Sequence, residues 1–233
     1  MRLLVFVSLL LSWSALAAEK GSHTCRILFL NAPTDAPEKL FLFDGKVSQE
    51  VQLPRMNFSP VYRLAAGDLT LVMSEKSYMA PEEVDPKAPR VKVPAAVKDF
   101  YLLVASDPKN TVAPVSLKVV PIDSSTFKRG EMMWFNLTGN SVGGKVGRQD
   151  LAMKANSRTL LKAPAVGNED YHVNLAYRIP GKKHLYPLCE TKWVHDPNSR
   201  MVVFVMTQNG SRTPRVMGFA DFRNDGKEGK PAE

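Results

Sequence analysis

Cysteine is scarce. There are two in 233 residues, Cys25 and Cys189, too few for a disulfide-dense miniature scaffold and without the paired spacing of a structural zinc site. Histidine is also rare, at four residues. After the N-terminus no apolar run approaches the roughly 20 residues a membrane helix needs. Helical periodicity is nearly missing from Cys25 onward, which excludes bundles and α/β architectures. Aromatic residues make up only 9% of the chain, and basic residues form no dense run. Together these features weigh against a nucleic-acid platform, as does the lack of any recognised binding module.

The N-terminus has the three parts of a secretory leader. Met1-Arg2 is the positive end, Leu3 to Leu16 the short apolar core, and Ala15-Leu16-Ala17 the small-x-small cleavage site. The mature chain is expected to begin at Ala18 and to be exported, periplasmic or secreted. It carries no transmembrane segment by this reading, and the tail from Asn224 is expected to be disordered. In an oxidising compartment an even cysteine count makes a Cys25–Cys189 disulfide the leading expectation, with two unbonded buried thiols as the alternative.

What the chain does have is strand signals, and they occur twice. Phe100-Tyr-Leu-Leu-Val-Ala105 is a continuous apolar run, followed by a polar loop, Pro114 and the alternating Val115-Ser-Leu-Lys-Val119. About a hundred residues later Met201-Val-Val-Phe-Val-Met206 leads through a polar loop and Pro214 to Val216-Met-Gly-Phe-Ala-Asp-Phe222. Likewise Met132-Met-Trp-Phe-Asn-Leu-Thr138 echoes Ile27-Leu-Phe-Leu-Asn-Ala32. A strand-start and a strand-end motif each recur in the same order, which predicts two tandem antiparallel β-sandwich units of immunoglobulin-like type. The expected units are 18–125 and 126–223, joined by a hinge at Asp123 to Glu131.

In the first unit strands are expected over Arg26 to Asn31, Leu40 to Phe43, Val47 to Leu53, Val61 to Leu64, Leu69 to Met73, Phe100 to Ala105 and Val115 to Pro121. Met79 to Pro94 holds four prolines and reads as an exposed, extended connection. In the second, Leu151 to Lys154, Arg158 to Lys162 and Tyr171 to Ile179 read as strands, the last with Tyr171, Val173, Leu175, Tyr177 and Ile179 on one face.

Phe29-Leu-Asn-Ala-Pro-Thr-Asp-Ala-Pro37, Leu40-Phe-Leu-Phe-Asp-Gly45 and Tyr62-Arg-Leu-Ala-Ala-Gly67-Asp-Leu-Thr70 resemble a bacterial domain-of-unknown-function family of secreted β-sandwich modules. That family opens with N-A-S-P-D-A-P, V-D-V-Y-V-D-G and Y-x-x-L-P-A-G-x-Y-T. The resemblance covers about Ile27 to Met73, with Pro33-Thr34 for the usual Ser-Pro and Ala66 for the usual Pro. It implies a sandwich and export, and brings no chemistry with it.

Candidate chemistry is sparse. Gly139-Asn-Ser141-Val-Gly143 satisfies G-x-S-x-G, but the glycine-rich Gly144-Lys-Val-Gly147 follows where a hydrolase elbow needs a helix, so a turn is expected. Gly139 to Lys145 also fits a phosphate loop, yet Val146 stands where a magnesium-binding hydroxyl is required. His184, Cys189, Glu190 and His195 fall outside the recurring metal spacings, and His195-Asp196 precedes ordinary turn residues. His172 and His23 have no partner visible in the sequence. Asn57, Asn136 and Asn209 sit in N-x-[ST] triplets. No catalytic residue, metal or cofactor is called for.

Charge gives the remaining signal. Residues 18–125 hold 13 basic and 13 acidic residues, whereas 126–233 hold 17 and 10, so the second half carries nearly all of the +8 net charge. If the sandwich gathers Lys145, Arg148, Lys154, Arg158, Lys162, Arg178, Lys182 and Lys183, they form an anion-attracting face; scattered, they are a solvated basic surface. The expectation is an exported, non-enzymatic module of the cell envelope, structural or protein-binding. Its rival is a binding protein for anionic polysaccharide or another envelope polyanion.

Overall fold

In the computed structural model, residues 22–123, 125–207, 211 and 213–222 are described; the predicted leader, the tail from Asn224 and Asn209 lie outside these. The described chain is all-β. The first half holds β1 (Ser22–Leu30), β2 (Lys39–Phe43), β3 (Ser48–Gln52), β4 (Tyr62–Ala66), β5 (Leu69–Ser74), β6 (Arg90–Val93), β7 (Asp99–Ser106) and β8 (Val115–Pro121). The second holds β9 (Met132–Asn136), β10 (Ser141–Val146), β11 (Gln149–Met153), β12 (Arg158–Leu161), β13 (Asp170–Arg178), β14 (Tyr186–Val194), β15 (Arg200–Thr207) and β16 (Pro214–Asp221).

The strand order repeats without exception. Sheet A runs β4-β1-β7-β8 and sheet B runs β3-β2-β5-β6. Adding eight to each number gives sheet C, β12-β9-β15-β16, and sheet D, β11-β10-β13-β14. The duplication expected from the two strand echoes is thus complete at the level of topology. Each half does contain one parallel pair, β1 with β7 and β9 with β15, among otherwise antiparallel ladders.

Sheets A and B enclose one core, with Ile27, Phe29, Leu42, Leu71, Leu102 and Val104 fully buried. Sheets C and D enclose another around Trp134, Val173, Leu175 and Val203. A third apolar layer lies between them, because the outer faces of sheets A and C pack against each other through Leu28, Leu30, Tyr101 and Leu103 on one side and Phe135, Val202, Phe204 and Phe219 on the other. The order of layers is therefore B, A, C, D. This explains the unbroken apolar runs: β7 and β15 are covered on both faces, so neither face needs polar residues.

The same layer holds a buried ionic cluster. Asp221 on β16 is fully buried and accepts hydrogen bonds from Arg26 on β1, from Tyr101 on β7 (2.6 Å) and from Arg200 on β15 (3.2 Å). Arg26 also donates to the carbonyl of Ser59 (2.6 Å), and Arg200 to that of Phe127 (3.2 Å). Each guanidinium lies over a ring, Arg26 over Phe58 and Arg200 over Phe127. Two of the four ionic and phenolic groups come from each half. The connection read as a hinge is therefore pinned: Ile122 and Phe127 are buried in the middle layer, and Phe127 sits beneath Arg200.

Burial, reinforced by the Asp221 carboxylate, pushes the Tyr101 phenol well above its ordinary range. The folded protein keeps a proton there that the unfolded chain releases above about pH 10. The contribution is full below that pH and is lost as pH rises beyond it. Thermal melts across the alkaline range should show a steepening loss above pH ~10, and Tyr101→Phe should flatten it. An equally steep fall in that variant would assign the effect elsewhere, first to Tyr171, whose phenol burial also raises.

Two connections differ from expectation. Arg90–Val93 forms an edge strand inside the proline-rich stretch, and Pro89 and Pro94 bracket it where no ladder bond is lost. The preceding residues are mostly exposed, as expected, but include a short 3-10 turn at Pro81–Glu83 and are anchored by Tyr78 and Ala88, buried against Phe43 and Val72 on the outer face of sheet B.

Candidate functional site

The eight basic residues do not form one face. Lys145 and Arg178 stand on the outer face of sheet D, with Lys154 just past the end of β11. Arg148 is exposed in the β10–β11 turn, and Lys182 and Lys183 are exposed in the β13–β14 connection. Arg158 belongs to sheet C and donates to the carbonyl of Pro121 in the first half (3.1 Å). Lys162 is committed to Glu131 (2.7 Å), and Lys145 to Asp150 (2.7 Å). Among the described residues neither Lys154 nor Arg178 is in a salt bridge.

Those two cations flank a depression of 530 Å³ on sheet D. Its floor follows from register. Gly143 on β10 pairs with Ala152 on β11 and with Ala176 on β13, so three small residues lie side by side where the sheet faces outward. Ser141 and Asn174 lie on either side along the strands, and Leu185, 53% exposed, forms a wall from the β13–β14 connection. Next to Gly143, Gly144 has φ +147, and a Cβ there would stand 2.1 Å from the carbonyl oxygen of Asn174, so β10 tolerates nothing larger at that point. The neighbouring row is net acidic, with Lys145 on Asp150 and the neutral Asn174 opposite Glu190. The depression is therefore an apolar floor with positive charge at one end.

Ser141 begins β10 rather than a turn, and no helix follows it. The residues around the depression include no histidine and no carboxylate; the one lining side chain with an amine is Lys154.

His23 and His195 are buried, whereas His172 and His184 are exposed. His23 Nδ1 lies 2.5 Å from the carbonyl oxygen of Val97 and its Nε2 2.6 Å from that of Gly67. His195 repeats the pattern, with Nδ1 2.7 Å from the Gly167 carbonyl and Nε2 3.0 Å from that of Gly130. In each half one buried ring ties together the start of the first strand, the turn after the fourth and the loop after the sixth. The ring is supplied by β1 in the first half and by the loop after β14 in the second. Asp196 accepts from the backbone N–H of Asn198 (2.9 Å), which holds its carboxyl below the usual range, the turn chemistry expected of Asp-Pro-Asn. His184 packs edge-on against Tyr186. Among the described residues no three of His, Cys, Asp and Glu come together.

Cys25 and Cys189 are not bonded to each other. The physical reason is the layer order: Cys25 lies in the core between sheets A and B, while Cys189 packs on the core between C and D, with the middle layer in between. Burial raises the Cys189 thiol, which lowers its thiolate fraction and its reactivity. Of the glycosylation triplets, Asn57 is exposed, whereas Asn136 is fully buried and donates to the carbonyls of Asn140 and Lys154.

Sequence reasoning missed Gly143, Ala152 and Ala176 because each is unremarkable alone, and only the pairing register makes them a floor. The available signal was the tolerance of a Gly-Gly pair inside a strand, which marks a close approach of backbone or ligand. Among the described residues no helix is long and apolar enough to cross a membrane. No protein-family model matches the chain, and no curated protein matches it.

Proposed function

We propose that the chain is an exported, non-catalytic interaction module of the cell envelope, with the outer face of sheet D as its working surface. The observation that carries this reading is the contrast between the two halves. Part of the outer face of sheet B, at Phe43 and Val72, is covered by its own chain through Tyr78 and Ala88. The equivalent face of sheet D is open and carries the depression, with Lys154 and Arg178 beside it. Export is supported by the leader-like N-terminus. The non-catalytic reading is supported by the surroundings of Ser141, which hold no histidine and no carboxylate.

A photo-crosslinking residue at Leu185, on the wall of the depression, should capture one defined envelope protein in intact cells. The same residue at Val47, 60% exposed in the first half, should not. Equal capture at both positions, or none at Leu185, overturns the reading.

The second reading is binding of an anionic polysaccharide, favoured by Lys154 and Arg178 together with the exposed Lys182 and Lys183. It requires salt-sensitive retention on an acidic polysaccharide matrix that is lost in Lys182→Glu/Lys183→Glu. Retention indifferent to both salt and substitution removes it.

A further inference from the structure

We draw no further inference here: the strongest candidate, the 260 Å³ hollow at the seam of sheets A and C, walled by Leu30, Leu103, Leu137 and Met206 with the exposed Lys118 beside it, is an apolar cleft, and nothing in the structure shows what covers it.

Discussion

Replacing Asp221 with Ala lowers the free energy of unfolding by about 3–5 kcal/mol. The loss does not measure the attraction of the ion pairs. It measures what remains after the carboxylate has gone, two guanidinium groups in a layer with little water to solvate them. The Asp221 side chain has no exposure, Arg200 has 1% and Arg26 has 12%, so Arg200 is the more severely stranded. Tyr101 also loses the acceptor of its hydroxyl. Replacing Arg26 and Arg200 with Met in the same chain should recover most of the loss, because the charges that made it costly are then absent. Denaturant unfolding of the single and triple variants measures both. A single-variant loss below about 1 kcal/mol, the scale of an exposed pair, would mean that water reaches the cluster and that the two halves are not sealed together there.

That cluster lies outside what sequence reading reaches, and the reason is geometric. Arg26 and Asp221 are far apart in the chain and each has ordinary neighbours. Only the packing of sheet A on sheet C brings them together. The central strands were legible because a strand covered on both faces is written as an uninterrupted apolar run, as in Phe100 to Ala105 and Met201 to Met206. The strands that escaped all lack that signal. Ser141–Val146 carries two glycines, Arg90–Val93 is framed by prolines, and Tyr186–Val194 is an edge strand whose pairing shifts register between Leu175 and Ala176, so its alternation breaks. The cysteine reading failed for a related reason. Even parity and an oxidising compartment bear on whether a bond is permitted, but the thiols belong to different cores. The basic residues were correctly assigned to the second half, and the sequence could not divide them between sheet C and sheet D. Of the eight, the depression keeps Lys154 and Arg178.

The middle layer should also make the two halves unfold as one. Phe204 on β15 is fully buried there, stacked on Phe135 (5.3 Å) and edge-on to Phe219 (5.9 Å), while the first half supplies Leu28, Leu30 and Leu103 to the same cluster. Phe204→Ala removes a large ring from a dry, two-sided contact and is expected to cost about 3–5 kcal/mol. The cost should be shared by both halves. Two probes separate the cases. Trp134 and Trp193, the only tryptophans outside the predicted leader, both lie in the second half, so tryptophan fluorescence follows that half alone, whereas far-ultraviolet circular dichroism follows all the strands. In the parent the two curves should coincide, and Phe204→Ala should shift them together to lower denaturant. If the fluorescence curve moves and part of the dichroism signal stays where it was, the halves are separable bodies in contact. A common shift means that sheets A and C form a single interior, and that the open face of sheet D is held by the whole molecule.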